Sequence, residues 1–470
     1  MPTANHGRAR LRVLLVLGGL IAAGLSAITG ETSAQAATCT WTPFTSKSSA
    51  RYRLPAVVKA DNGRIFVFAE RRNNNYDNDD QGDFDIVMRT SVNGGCTWGK
   101  LVTVADWGTN KVSNPVPIYD RARDQVLLFS TVKLASGNKL YLQKINATAT
   151  SISSLRSGAV SVDGWFPGLT GPGHGLVLSR GAHAGRIIFA MGYTRGSTRT
   201  TRAIYSDDAG KTWRVGFDRP SPGSLQLIEG TLAELPDGRL LVSYRDNGRG
   251  VATPGRNRVS AVSTDGGQTV SSYGAMTGIK TVPVQGSLLQ AGSYLLFSSP
   301  AHLTGSLTSR RGLRVFVSTN SGATWKRGVG IGPKTGSTGY SDLVQLSAAT
   351  VGVVYEADYV KYWTRIRFAP VRLSSIATSL LPKVSVSKRP STAGSYRSGH
   401  TVRARHGRFT PAPASYRYQW LRDGKPIPRA TGSRYRLRKA DRYHRISVRV
   451  TAVRGGYRSA SATSVRHAIR

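Results

Sequence analysis

Ser206-Asp207-Asp208-Ala209-Gly210-Lys211-Thr212-Trp213 is one of four variants of a single octapeptide in this chain. The pattern is Ser-x-Asp/Asn-x-Gly-x-Thr-Trp. It also reads Ser91-Val92-Asn93-Gly94-Gly95-Cys96-Thr97-Trp98 and Ser318-Thr319-Asn320-Ser321-Gly322-Ala323-Thr324-Trp325. In Ser263-Thr264-Asp265-Gly266-Gly267-Gln268-Thr269-Val270 a Val replaces the Trp. These residue types describe a hairpin turn. The Asp or Asn oxygen accepts N–H bonds within the turn, and the Gly takes the φ > 0 position. Thr and Trp re-enter the next strand, where the indole can cover a sheet. Such Asp and Asn side chains are structural, not catalytic.

The four serines at 91, 206, 263 and 318 are spaced 115, 57 and 55 residues apart. The first gap is about twice the others, which predicts a unit near residue 148 that has lost its motif. The period is too long for a leucine-rich or ankyrin repeat and fits a propeller blade. Residues 37–381 hold about six such units, so the expectation is an all-β, six-bladed β-propeller. Flanking segments agree. Arg64-Ile65-Phe66-Val67-Phe68 follows Asn62-Gly63, and Arg239-Leu240-Leu241-Val242-Ser243 follows Asp237-Gly238, as strands follow hairpin turns. The chain has 470 residues, 52 of them Gly, and long 3.6-period runs are hard to find, which excludes a mainly helical protein. A hydrophobic share of 39% is enough for a packed core despite a net charge of +40.

At the N-terminus, Arg8, Arg10 and Arg12 precede an apolar run from Val13 to Ile28, and Ala34-Gln35-Ala36 follows as a small-x-small cleavage site. This three-part form predicts a secretory signal over residues 1–36 and a secreted, extracellular protein. The run is short for a membrane span, and Gly18, Gly19 and Gly24 weaken it further, so membrane insertion is not expected. Both cysteines, Cys39 and Cys96, lie beyond the cleavage site. Export favours one disulfide between them over two unpaired thiols. There is no CxxC and no His/Cys cluster, so neither a zinc site nor any other metal or cofactor is expected.

Composition shifts after residue 381. Residues 382–470 contain 22 Lys+Arg against two acids, Asp423 and Asp441, a balance of +20. Tyr416, Tyr418 and Trp420 alternate with polar or basic residues, as do Ile446, Val448 and Val450, the pattern of half-buried strands with a basic outer face. Tyr418-Gln-Trp-Leu-Arg-Asp-Gly-Lys-Pro-Ile-Pro428, Ala430-Thr431-Gly432 and Ile446-Ser-Val-Arg-Val-Thr451 resemble the immunoglobulin-like repeats appended to secreted actinobacterial proteins. The resemblance implies a β-sandwich of about 85 residues, a size that folds alone.

Between the octapeptides lie sharper signals. Tyr52-Arg53-Leu54-Pro55-Ala56, Phe68-Ala69-Glu70-Arg71-Arg72 and Asp80-Gln-Gly82-Asp83-Phe-Asp85-Ile-Val87 precede the first turn. Ser113-Asn114-Pro115-Val116-Pro117, Gly171-Pro172-Gly173-His174-Gly175, Ile228-Glu229-Gly230, Ser243-Tyr244-Arg245-Asp246, Gly339-Tyr340-Ser341-Asp342-Leu343 and Tyr355-Glu356 follow in order. This series, threaded by Asp-box turns, resembles the bacterial exo-sialidases (neuraminidases) across about residues 50–360. The resemblance implies that Arg53, Arg245 and Arg310 hold the carboxylate of a sialic acid, with Arg311 as the alternative to Arg310. It implies Tyr340 as nucleophile, Glu229 as the carboxylate that activates it, and Asp80 as acid/base, with Asp79 or Asp77 as alternatives in a long loop. Glu356 braces the first arginine, and Arg71 joins the substrate-binding set. Leu54 stands where the family usually has Ile. Glu234, near Glu229, reads as structural, His174 as a loop contact, and Asp83 and Asp85 as residues that orient the loop.

The chemistry calls for these residue types. Sialic acid carries a carboxylate on its anomeric carbon, so a neutral tyrosine meets less repulsion there than an Asp or Glu nucleophile. Tyrosine titrates near about 10 and needs an adjacent base. Sialidases with a Tyr nucleophile are a recognised exception among glycosidases. Arginine forks match one carboxylate in a way lysines do not. The expected function is therefore a secreted exo-α-sialidase with a retaining mechanism, acting on sialylated glycans or glycoproteins. The alternatives are a sialoside-binding propeller without turnover, and a trans-sialidase or deaminated-sialic-acid hydrolase. A nucleic-acid partner rests on charge alone and is not expected. The basic tail suits polyanionic cell-surface polymers instead.

Overall fold

The repeated octapeptides fold alike. In each, the serine hydroxyl accepts the N–H of the motif glycine, at 3.0 Å for Gly95, 2.8 Å for Gly210, 2.8 Å for Gly267 and 2.9 Å for Gly322. The Asn or Asp oxygen accepts the threonine N–H at 2.9–3.0 Å. Each glycine has φ between 78° and 89°, open to glycine at little cost. At Asp208 the Thr212 hydroxyl and N–H hold the carboxyl well below the usual range, so the turn carries a fixed negative charge. Trp98, Trp213 and Trp325 each set an indole edge against a phenylalanine: Phe368, Phe129 and Phe297. A Cβ on Gly267 or Gly322 would collide with Ile188 or Leu241, side chains of the preceding sheet. The turn of one sheet is thus a packing surface for its neighbour.

The computed structural model describes residues 39–74, 82–148, 158–162, 168–248, 258–301, 310–332, 336–358 and 364–470. The chain is all-β apart from one helix, Leu373–Leu380, and three short 3-10 turns among these residues. Residues 44–372 form antiparallel sheets in chain order. The first joins Ala50–Lys59, Ile65–Asn73, Phe84–Ser91 and Val102–Ala105 to Lys111–Asp120, Gln125–Leu134 and Gly137–Asn146. Among the described residues the ladder pairing between those two groups of strands is a single parallel pair, Phe84 with Lys111. Next come a sheet built on Ile187–Arg195 and Thr198–Ser206, one on Leu227–Glu234 and Leu240–Asp246, and one on Ser287–Ala291 and Tyr294–Pro300. The last contains Ser337–Ser347, Thr350–Asp358 and Arg365–Arg372. Its outer strand pairs with Phe44–Thr45, so the beginning and end of this region share one sheet. The place of the lost motif expected near residue 148 runs into residues 149–157, which lie outside the described residues.

No sheet closes on itself, but the innermost strands touch in a ring. Ala50–Lys59 contacts Ser337–Ser347 and Lys111–Asp120; the ring continues through Ser287–Ala291, Leu227–Glu234 and Ile187–Arg195. An inner edge strand leaves N–H groups without a ladder partner. Buried carboxylates take them up. Glu356 accepts from Leu54 and Tyr340, Glu70 from Asn114, and Asp342 from Val57 and His174. The Gln285 side chain adds the N–H of Ser341 and, on its other side, the Pro172 carbonyl.

The predicted disulfide is present: Cys39 is bonded to Cys96, in the first octapeptide turn. Beyond the helix, Ser385–Lys388 to His467–Ala468 are short strands in three further sheets. They enclose a separate cluster that includes Val402, Phe409, Trp420, Val448 and Val450. No helix among the described residues is long and apolar enough to cross a membrane.

Candidate functional site

Three inner strands break their register at the same end of the ring. The pairing shifts between Arg53 and Ala56, between Ser113 and Val116, and between Ile228 and Gly230. Inside these bulges Leu54, Asn114 and Glu229 adopt φ of 53°, 58° and 52°. Left-handed backbone in residues such as Leu and Glu stores strain, of order 1–3 kcal/mol each, and persists where neighbours over-determine it. A fourth shift lies between Thr338 and Ser341, around Tyr340. The bulges turn Arg53, Glu229 and Tyr340 toward one place.

Tyr340 is the centre of that place. Its hydroxyl donates to Glu229 Oε1. Arg245 Nη1 donates to Glu229 Oε2 at 2.8 Å and to the Tyr340 oxygen at 3.2 Å. Arg245 Nη2 holds Asn247 at 2.8 Å. The Arg53 and Arg310 guanidinium carbons lie 5.8 Å and 5.5 Å from the Tyr340 ring centre. Arg53 is buried and donates through Nε to Glu356 at 2.7 Å, and the same carboxylate accepts the Tyr340 N–H at 3.0 Å. One fully buried carboxylate therefore fixes both an arginine and the tyrosine backbone. Arg311, the alternative to Arg310, is exposed and pairs in a bridge with Ser337.

Burial, reinforced by the Glu229 charge, pushes the Tyr340 phenol above its ordinary pKa against the opposing pull of Arg245 and Arg310. The phenol is thus neutral at physiological pH. A phenol bonded to a carboxylate can hand over its proton as it attacks. Burial opposes the Arg245 charge, but Glu229 and Tyr340 outweigh it and raise that pKa. Three arginines against two carboxylates, Glu229 and Glu356, leave an excess of positive charge around the tyrosine, fit for an anionic group.

Leu54, Tyr340 and Glu229 line a cavity of about 440 Å³ that extends past Asn114, Thr131 and Tyr193. That volume suits a small ligand. Arg71 grips the buried Asp85 through Nε at 3.1 Å and Nη2 at 2.6 Å, and Asn73 adds a third bond at 2.9 Å. Burial raises the Asp85 pKa even so. Asp80, Asp79 and Asp77 lie outside the described residues. Asp83 accepts the Asn73 N–H through its backbone carbonyl. Glu234 faces away from this cluster, accepting the N–H groups of Ser179 and Arg180. Among the described residues no group of three His, Cys, Asp or Glu side chains is placed to hold a metal ion.

Sequence reasoning quoted Asp342 and His174 without joining them. His174 Nδ1 is 2.7 Å from Asp342 Oδ1, which also accepts the Ser287 hydroxyl at 2.7 Å. Burial alone would depress the histidine, but the Asp342 charge and hydrogen bond raise its pKa overall. Arg258 gave no signal, since it lies in no quoted motif. It pairs with Arg245 across the sheet, is 1% exposed, reaches the Val284 and Gly286 carbonyls, each at 3.5 Å, and sets its guanidinium carbon 4.9 Å from the Phe297 ring centre. Burial lowers its pKa to about 9.

Residues 63–353 match the family described as BNR repeat-like domain. A sialidase of Micromonospora viridifaciens is 29% identical over 359 residues, covering 69% of this chain and 52% of that protein. A sialidase of Bacteroides fragilis is 24% identical over 371 residues, covering 70% of this chain and 63% of that protein. The chain therefore spans between half and two thirds of these relatives' lengths. A solved structure described as a Hadza microbial sialidase superposes with a TM-score of 0.57 at 22% identity, over 70% of this chain and 67% of that one. That likeness concerns the fold: all-β, with propeller-type sialidases as structural neighbours.

Proposed function

Since the chain belongs to the family of BNR repeat-like domains, we propose that its site is that of a sialidase-type glycoside hydrolase, an exo-α-sialidase that removes terminal sialic acids from glycans. The observation that carries this reading is the Tyr340–Glu229 couple among three arginines. Arg53, Arg245 and Arg310 grip the substrate carboxylate. Tyr340 attacks the anomeric carbon while Glu229 takes its proton, and a covalent tyrosyl intermediate forms. Asp80 protonates the departing oxygen and then activates water, so the configuration is retained. Glu356 positions Arg53 and the Tyr340 backbone, and Arg71, held by Asp85, joins the substrate-binding set.

In this reading the sheets of residues 44–372 make six blades, with the seven-stranded sheet divided at its single parallel pair. Residues 382–470 make an immunoglobulin-like sandwich whose +20 charge attaches the enzyme to anionic surfaces. Residues 1–36 direct export, a reading supported by the Cys39–Cys96 bond. The test is a fluorogenic α-sialoside assay. The wild type releases the fluorophore, and Tyr340→Phe, which keeps the ring but loses the nucleophile, is slower by at least about 10³-fold. Full activity in that variant excludes the mechanism.

A further inference from the structure

The basic tail contains a concavity of about 430 Å³ lined by Arg429, Arg434, Arg436 and Arg438. All four are exposed, and among the described residues none forms an ion pair. The two acids of the tail are both engaged, and Asp441 lies against the concavity. Asp441 is buried, bonded to Arg422 at 2.8 Å, to the Tyr435 hydroxyl at 2.9 Å and to the Arg438 N–H at 2.7 Å. Asp423 takes His444 at 2.6 Å and the Arg445 N–H at 2.9 Å. Asp441 is therefore a single buried counter-charge beneath four lining arginines, and the balance at the concavity is positive.

A second observation points the same way. The strand Arg434–Arg436 pairs with Thr401–Arg405, and the register sets Arg434 directly opposite Arg403. Both are exposed, while Val402 and Tyr435 between them face the core. Like charges directly opposed across a ladder destabilise a sheet. An edge strand needs a charge to discourage aggregation, but it needs neither an opposed pair nor a concavity. A bridging anion relieves the repulsion, and arginine forks bind oxyanions in two-point contacts.

We propose that this concavity is a binding site for a glycan bearing repeated carboxylate or sulfate groups, and that its principal contacts are Arg434 and Arg436 of the lining together with Arg403, which lies outside the lining but opposite Arg434 on the neighbouring strand. A glycan fits better than a nucleic acid. Base recognition needs an open aromatic face, and the one aromatic lining residue, Tyr435, is buried with its ring stacked on Trp420. The choice of a glycan also rests on the sialidase reading of the main site, and the two are tested separately.

The experiment measures affinity of the full chain for three immobilised polymers at one salt concentration: heparin, polysialic acid and polyuridylate. The variant Arg403→Gln/Arg434→Gln/Arg436→Gln is compared with Arg408→Gln/Arg417→Gln/Arg449→Gln, which removes the same charge from other exposed positions of the tail. The first triple is expected to weaken glycan binding by at least about ten-fold, and the second by no more than a few-fold. Heparin and polysialic acid distinguish sulfate from carboxylate as the preferred group. Equal losses in the two triples overturn the site in favour of a diffuse field, and tighter binding of polyuridylate than of either glycan overturns the ligand class. If the glutamine triple fails to fold, Arg→Lys at the same three positions keeps the charge and removes the forks. Its weaker glycan binding then supports the site, and unchanged binding overturns it. Turnover of a small sialoside, measured in parallel, reads the main site alone.

Discussion

At the scale of single residues, Tyr340 is specified by what surrounds it more than by its own side chain. Its backbone hangs on Glu356, its hydroxyl on Glu229, and Arg245 donates to both Glu229 and the Tyr340 oxygen. Glu229→Gln keeps the shape but cannot take the phenolic proton. The expected result is a drop in kcat of about 10²–10⁴-fold with KM little changed, read in a sialoside assay; an unchanged kcat contradicts the role. His174 allows a test of pH dependence. Its folded-state pKa is raised above the unfolded value near 6.5, so the protonated histidine paired with Asp342 adds stability below that value. The contribution is lost as pH rises through the folded-state pKa. The melting temperature lost in His174→Gln should therefore be largest near pH 5 and shrink toward pH 9, whereas a loss that grows with pH contradicts the pairing. Much of this cluster was legible in the sequence. Arg53, Glu229, Arg245, Tyr340 and Glu356 each sit in a short quoted motif. Arg258 was not, because a lone arginine at the start of a strand looks like any solvated charge until burial is known.

At the scale of elements, the four octapeptide turns were readable because their chemistry is local. Ser, Asp/Asn, Gly and Thr bond within eight residues, so the sequence contains every partner. The bulges were not readable. Nothing in Leu54, Asn114 or Glu229 favours positive φ strongly enough to announce a break in a strand; the break depends on Glu356 and Glu70, which arrive from distant sequence. The disulfide was readable as a consequence of export and of there being only two cysteines. It closes a loop of 57 residues between the start of the described chain and the first turn. In the chain-entropy description that closure contributes about 4 kcal/mol. Cys39→Ser/Cys96→Ser should lower the denaturation midpoint accordingly, and a variant as stable as the wild type shows that the bond constrains little.

At the scale of the whole molecule, the site exists only because the inner strands meet in a ring. Arg53, Glu229, Arg245 and Tyr340 come from three sheets and Arg310 from the segment before the strand Leu313–Ser318 of a fourth, and no sheet alone assembles an anion site. The repeat spacing pointed to this architecture, and the matched order of motifs along the chain pointed to its chemistry. The charge of +40 pointed less clearly, since it mixes a few inward arginines with a large outward field. The central claim concerns the reaction of the intact protein: hydrolysis of an α-sialoside through an intermediate on the protein. Proton NMR during turnover of an aryl α-sialoside tests it most directly. The account predicts that the α-anomer of the free sugar appears first and the β-anomer only later by mutarotation. First release of the β-anomer, or no hydrolysis by the wild type, contradicts it.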